Sequence, residues 1–221
     1  MERPSRGSKW VSGVLLAAGE STRMGEGQVK QLLPFGGEAL VRRVARQALA
    51  SSLSELIVVI GFVGDEVRRA LAGLGVRIVD NPDYGEGQST SVKAGLDAID
   101  PEAGAAMFLP VDQPFLTSAV IDQLILAYQH MGGPIVLPAY AGRHGAPVLF
   151  DRSLFPELAQ ITGDEGGRQI LWQYPDKIVI VPLDSQQPLL DIDTPEAYRA
   201  LVQGTRTQNE CSHWRRRLGE Q

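Results

Sequence analysis

Leu16-Ala17-Ala18-Gly19-Glu20-Ser21-Thr22-Arg23-Met24-Gly25, with Lys30 shortly after, is the stretch that decides the fold. It follows an apolar run from Trp10 to Ala17 that reads as a first strand. Small residues and a glycine at the end of a strand let the backbone approach a ligand closely. Successive backbone N–H groups in such a loop can wrap phosphate oxygens, and Arg23 and Lys30 add compensating charge. Ligands of open α/β sheets sit outside the carboxyl ends of the strands, where this loop falls. Neither of the better-known phosphate loops is present: Gly-x4-Gly-Lys-Ser/Thr is missing, and no Gly-x-Gly-x-x-Gly follows the first strand. An ordinary tight turn can be built from the same residues.

Outward from that loop, short β-branched runs alternate with amphipathic stretches. Leu40, Val41, Val44, Ala45, Ala48 and Leu49 recur at helical spacing. Leu56 to Ile60 reads as a buried strand, Val67, Ala70, Leu71 and Leu74 as a second helix, and Val76 to Val79 as a third strand. Val92, Gly95, Leu96 and Ile99 stripe a third helix, with Ser89 or Thr90 as its cap. Ala106 to Leu109 is a strand, and Val120, Ile121, Leu124, Ile125 and Tyr128 mark a helix capped by Thr117. Apolar strands separated by helices predict an α/β fold, a three-layer Rossmann-like arrangement with a mainly parallel central sheet flanked by helices.

The second half is less regular. Pro134 to Pro138 and Pro147 to Phe150 read as two strands around a turn at Gly142 to Gly145, Asp164 to Gln173 as a short helix, and Lys177 to Leu183 as a strand. A closing helix begins with Thr194 as cap, Pro195 in first position and Glu196 in the first turn. No repeat or linker divides the chain. The expectation is one domain over residues 10–203, between a flexible N-terminal tail (1–9) and a polar C-terminal tail (204–221).

The 221 residues are 43% apolar and 21% charged, which suits a soluble globular protein. A net charge of −5, with both signs interleaved, excludes an overall basic footprint for nucleic acid. A lone cysteine, Cys211, cannot form an intramolecular disulfide or a cysteine-based zinc cluster. The polar start lacks the longer apolar stretch of a signal peptide, and no segment approaches the roughly 20 apolar residues of a membrane span. The expected compartment is the cytoplasm, with no membrane partner. Trp214-Arg215-Arg216-Arg217 forms a basic cluster in the tail, read as frayed chain or a docking element.

Three more stretches carry chemistry. Asn81-Pro82-Asp83-Tyr84-Gly85-Glu86-Gly87-Gln88-Ser89-Thr90-Ser91 is turn-rich and runs into a helix N-terminus, where unpaired N–H groups favour anions and polar ligand groups. Leu109-Pro110-Val111-Asp112-Gln113-Pro114 puts a carboxylate just past a hydrophobic strand, a poor place for structure and a good one for a metal. Mg²⁺ takes oxygen ligands, usually one or two carboxylates plus phosphates and waters. Asp112 can instead cap the next turn, but Thr117 is better placed for that. In Asp191-Ile192-Asp193-Thr194-Pro195-Glu196, residues two apart on an extended segment project to one side, so both aspartates can reach one ion. They would equally complement the dipole of the closing helix.

Leu-Ala-Ala-Gly-x-Ser-x-Arg-Met-Gly, then Lys30 ahead of Leu33-Pro34-Phe35-Gly36-Gly37, resembles the signature of nucleotidyltransferases with a GT-A-like fold, and among them the molybdenum-cofactor branch. The resemblance runs from about Val14 to Leu201. It implies a nucleotide site built from Leu16, Ala17, Ala18, Gly19, Arg23, Gly25 and Lys30, with Gly87, Gln88 and Ser89 contacting base and sugar. It also implies Mg²⁺ on Asp112, with Asp193 as second ligand and Asp191 in reserve. Arg143-His144-Gly145-Ala146-Pro147-Val148 and Gly163 to Arg168 resemble the acceptor side of that branch, which makes His144, Gly145 and Arg168 candidates there. Ala197 departs from the common Thr-Pro-Glu-Asp of the closing helix.

The implied reaction is attack by an acceptor phosphate oxygen on the α-phosphorus, with pyrophosphate leaving. Catalysis then rests on positioning and charge neutralisation by Lys30, Asp112 and Arg23. In the family, Leu-Ala-Ala-Gly with Asp-Gln-Pro accompanies cytidylyl transfer to molybdopterin, whereas Leu-Ala-Gly-Gly with Asp-Thr-Pro accompanies guanylyl transfer. Ala18 and Gln113 therefore favour CTP. A molybdenum hydroxylase or its maturation factor would be the partner receiving the product. The alternatives are guanylyl or cytidylyl transfer to another small phosphorylated acceptor (sugar phosphate, alditol phosphate or phospholactate), or a non-catalytic nucleotide-binding cofactor chaperone.

Overall fold

The computed structural model describes residues 10–25 and 27–204. What the sequence suggested for residues 1–9, for Cys211 and for Trp214 to Arg217 lies outside the described residues. The elements in order are β1 (Val11–Ala17), a small hairpin of β2 (Pro34–Phe35) and β3 (Glu38–Ala39), α1 (Leu40–Leu49), β4 (Glu55–Ile60), α2 (Gly64–Ala70) and β5 (Arg77–Asp80). Then come α3 (Gln88–Asp97), β6 (Ala105–Pro110), α4 (Ser118–Met131), β7 (Ile135–Tyr140), β8 (Arg143–His144) and β9 (Val148–Asp151). The chain continues through α5 (Phe155–Leu158), α6 (Arg168–Gln173) and β10 (Ile178–Pro182), and a closing helix spans 195–204.

The sheet runs in the order β10-β7-β9-β6-β1-β4-β5, with β8 paired to β7. β1 is parallel to both β4 and β6, and β5 and β10 are parallel to their neighbours, while β9 runs antiparallel to β6 and β7. Strand alternation feeds two cores. Val11, Leu15, Ala17, Leu56, Val58 and Ile60 face α1, α2 and α4. Val14, Ile57, Val59, Ala106 and Phe108 face α3, α5 and α6. The result is an α/β domain with helices on both faces of a mixed, mainly parallel sheet, the Rossmann-like class expected from the sequence.

Several local expectations change. Helix α3 starts at Gln88 with Gly87 at its N-cap, so Ser89 and Thr90 lie inside the first turn rather than capping it. Thr90 Oγ1 instead donates back to Gly87 O at 2.9 Å. The short helix read over Asp164 to Gln173 is split: a 3-10 turn spans Gly163–Glu165 and α6 begins at Arg168, because Gly166 sits at φ +51°. The turn placed at Gly142 to Gly145 carries strand β8, paired antiparallel with β7. Helix α2 stops at Ala70, and Leu49 is 38% exposed despite its place in the apolar stripe. The caps at Thr117 and Thr194 are as read: their hydroxyls accept from Val120 N (3.4 Å) and Ala197 N (3.2 Å).

Candidate active site

The loops after β1, β5 and β6 meet at the carboxyl ends of their strands, where open α/β sheets hold ligands. Between the first two loops lies a cavity of about 500 Å³, lined by Leu16, Ala18, Gly19, Arg23 and Lys30 on one side and by Tyr84, Gly85, Gly87 and Gln88 on the other. A second cavity, about 730 Å³, opens beside it under β8 and α6. Lys30, Gln88, Asp112 and Asp164 line both, so the two spaces share one wall.

That wall is charged. Lys30 Nζ is 2.9 Å from Asp112 Oδ2 and 2.9 Å from Asp193 Oδ1. Burial by itself pulls the Lys30 pKa down, but the two aspartates outweigh it and the net shift is upward. Asp193 is held below the usual carboxylate range, chiefly by the hydrogen bond from Lys30 against some desolvation, with Arg23 and Arg168 helping. Arg23 is largely exposed and reaches Asp193 at 3.8 Å. Asp191 is pushed up to about 6, first by desolvation and then by the charge of Asp112, against the hydrogen bond from Gln113. Its carboxylate accepts from Gln113 Nε2 at 2.9 Å.

The segment carrying the two later aspartates is pinned from between them. Ile192 is fully buried against Met24, Leu33, Phe35 and Leu40, and its N–H donates to Asp112 O at 2.9 Å. Asp191 and Asp193 both line the second cavity. Among the described residues, no group of three or more His, Cys, Asp or Glu side chains is gathered closely enough to hold a metal by itself.

Of the sequence-derived nucleotide residues, Leu16, Ala18, Gly19, Arg23, Lys30, Gly87, Gln88 and Asp112 line the first cavity. Ala17, Gly25 and Ser89 do not. Ala17 is 1% exposed and points into the core beneath α1. Gly25 closes the 3-10 turn Thr22–Met24 at φ +84°. Ser89 is 3% exposed in the first turn of α3, and Ser91 takes the place at the cavity. His144, Gly145 and Arg168 line the second cavity, as does Gln113, which the sequence pairs with Ala18 in favouring CTP. Tyr84, Gln31, Ser91 and Asp164 also line the first cavity and were missed. Only Ser91 had a signal: with Gly87 as the N-cap of α3, Ser91 rather than Ser89 lines the cavity.

Glycine is required where the walls touch. Gly87 sits at φ +112°, and a Cβ there would fall 2.7 Å from the carbonyl carbon of Gly163. A Cβ on Gly166 would fall 2.6 Å from Gln88 Oε1. The loop before α6 is therefore knit to the start of α3, and Asp164 and Gln88 face both cavities.

The mainly parallel sheet presents a glycine-bearing loop, a lysine and opposed aspartates at its strand ends, and this fold together with the family match makes the chain an enzyme of the nucleotidyltransferase class. Residues 13–179 match the family described as MobA-like NTP transferase domain, and the chain belongs to that family. It is 34% identical over 200 residues to nicotine blue oxidoreductase of Paenarthrobacter nicotinovorans, covering 86% of this chain and 96% of that one. It is 30% identical over 186 residues to molybdenum cofactor cytidylyltransferase of Escherichia coli K12, covering 84% and 92%. The solved structure of Rv0371C from Mycobacterium tuberculosis H37Rv in complex with manganese superposes with a TM-score of 0.76 at 29% identity, over 88% of this chain and 98% of that one. Among the described residues no helix is long and apolar enough to cross a membrane.

Proposed function

We propose that this chain transfers CMP from CTP to molybdopterin, releasing pyrophosphate, with Asp112 and Asp193 as the residues that would hold Mg²⁺. The observation that carries the reading is the shared wall: Lys30 and Asp112 stand 2.9 Å apart where a nucleotide-sized cavity meets a second, larger one. A donor in the first and an acceptor in the second would bring their phosphates together there.

The residues fit the metal. Among the described residues, Asp112 Oδ1 is buried with no hydrogen-bond partner, an arrangement that leaves a desolvated anionic oxygen for a cation. Asp193 supplies a second carboxylate across Lys30. Few protein ligands suffice, since Mg²⁺ takes most of its oxygens from phosphates and water. Bound there, the ion would neutralise charge developing on the phosphates.

The chain's own groups do the rest. The β1 loop presents backbone amides to the polyphosphate, with Arg23 at its rim. Lys30 can turn from the carboxylates to the departing pyrophosphate when a nucleotide is bound. An acceptor phosphate oxygen forms the new bond to the α-phosphorus, and the bond to the bridging oxygen of pyrophosphate breaks in line. An ionised phosphate is already a nucleophile, so no general base is needed. His144, Gly145 and Arg168 would hold the acceptor. The preference for CTP rests on Ala18, which lines the first cavity. The product would pass to a molybdenum hydroxylase or its maturation factor.

The test is to incubate the protein with Mg²⁺, molybdopterin, with and without molybdate, and each NTP in turn, and identify products by mass spectrometry. A cytidine dinucleotide of molybdopterin is expected. A guanosine product would overturn the choice of CTP, and no product with any NTP would overturn the acceptor.

A further inference from the structure

Gln31 is a buried polar side chain, 1% exposed, directly beneath the β1 loop. Its Nε2 donates to the carbonyls of Ala17 at 3.1 Å and Gly19 at 2.6 Å, and its Oε1 accepts from Ser21 Oγ at 2.9 Å. Ser21 Oγ also accepts from the backbone N–H of Lys30 at 3.0 Å. Ser21 is held at φ 60°, ψ 34°, a left-handed conformation that a non-glycine residue keeps only when its surroundings impose it. The amide of Gln31 and the hydroxyl of Ser21 therefore clasp the loop to the base of Lys30.

The clasp sorts the loop's dipoles. Ala17 and Gly19 carbonyls are taken by Gln31, the Ala18 carbonyl by Phe62 N at 3.0 Å, and the Ser21 carbonyl by Met24 N at 2.9 Å. The amides of Gly19, Glu20, Ser21 and Thr22, by contrast, donate to no acceptor among the described residues. A peptide loop binds an anion only when its N–H groups, and not its C=O groups, face the ligand. An unpinned loop would present both. We infer that Gln31 is the positioning residue of the phosphate loop: it holds the Ala17 and Gly19 carbonyls back so that the amides that follow stay free for polyphosphate oxygens. This inference rests on the reading that the triphosphate occupies the first cavity.

The test is calorimetric binding of Mg²⁺–CTP, Mg²⁺–pyrophosphate and CMP to the full chain and to its variants. Gln31→Leu keeps the side chain's bulk and removes both donors and the acceptor. It should weaken CTP and pyrophosphate by about tenfold or more while CMP, lacking the β and γ phosphates, changes by less than about twofold. A merely structural loss would weaken all three alike. Ser21→Gly, which tolerates the left-handed backbone and removes the hydroxymethyl group with its hydrogen bonds to Gln31 and Lys30 N, should reproduce the polyphosphate-selective loss at smaller size. If Gln31→Leu does not fold, Ser21→Gly decides. Equal losses for CTP and CMP, or no loss in a folded variant, would overturn the role given to Gln31. A wild-type protein that binds neither CTP nor pyrophosphate would overturn the nucleotide reading itself, and the role with it.

Discussion

Lys30 Nζ lies 2.9 Å from Asp112 Oδ2, across 82 positions of sequence. The two side chains are 15% and 20% exposed, so their attraction is little screened. The pair leaves Asp112 Oδ1 without a partner among the described residues, although that oxygen is buried. A carboxylate engaged on one oxygen and bare on the other is a costly structural device. It is a reasonable one at a site that takes up a cation with its substrate.

Asp112→Ala should nearly abolish turnover while leaving the fold intact. If Asp112 holds the metal as proposed, its loss removes several kcal/mol of transition-state stabilisation, about a hundredfold or more in kcat/KM. Circular dichroism and melting temperature monitor folding, and pyrophosphate release monitors rate. Near wild-type turnover with Mg²⁺ would remove Asp112 from the mechanism.

Lys30→Ala has two expected effects. CTP affinity should fall about tenfold or more, with a much smaller change for CMP, because the proposed charge partner of the polyphosphate is gone. Without nucleotide the direction reverses. Asp112 and Asp193 lose their shared ammonium, so Mn²⁺ binding followed by its electron paramagnetic resonance signal should tighten. Unchanged Mn²⁺ affinity would mean the ammonium does not occupy the cation's place.

The apolar pattern made most of the architecture readable. Strands β1, β4 and β6 alternate between two cores, and α1 and α4 carry apolar stripes at helical spacing, so periodicity alone identifies them. The motif loop and Asp112 were legible for the same reason, since each follows directly on such a strand. Gln31 was not. Its role comes from three hydrogen bonds to residues 10 to 14 positions away, which no spacing rule encodes. The reversed strand β9 and the break at Gly166 were also hidden, because register and a positive φ are settled by tertiary contacts.

Gly87→Ala should damage the nucleotide cavity more than the fold as a whole. The new Cβ meets the Gly163 backbone at 2.7 Å, and φ +112° is strained for any L side chain. The cost is about 1–3 kcal/mol, taken as a lower melting temperature and as displacement of the loop before α6. The KM for CTP should rise several-fold more than the KM for the acceptor. A variant with wild-type KM and stability would show that the two loops part without consequence.

Arg168→Ala separates the two cavities kinetically. Arg168 lines the second cavity but not the first. The KM for molybdopterin should rise by about tenfold, the value of one charge-assisted contact, with the KM for CTP within about twofold. Parallel increases in both would place Arg168 in a shared structural role through its field at Asp193.

Ala18 and Gln113, the pair that favoured CTP in the sequence, should act on different parameters. Ala18 is 2% exposed at the wall of the first cavity, where a change in size or backbone freedom alters how a base and sugar fit. Gln113 is 2% exposed, lines the second cavity, and spends its amide N–H on Asp191 at 2.9 Å. Cytosine and guanine differ in size and in hydrogen-bonding edge, and each unmatched buried polar group costs about 1–3 kcal/mol. Ala18→Gly alone should therefore lower the ratio of kcat/KM for CTP over GTP, by tenfold or so if one such mismatch is relieved. Gln113→Thr removes the donor to Asp191, so it should reduce kcat with both nucleotides and leave their ratio nearly unchanged. The measurement is kcat/KM for CTP and GTP with one acceptor, in the wild type, both single variants and the double variant. A ratio that moves with Gln113→Thr and not with Ala18→Gly would put the base-reading contact on the β6 loop. A wild type that prefers GTP would overturn the assignment to CTP altogether.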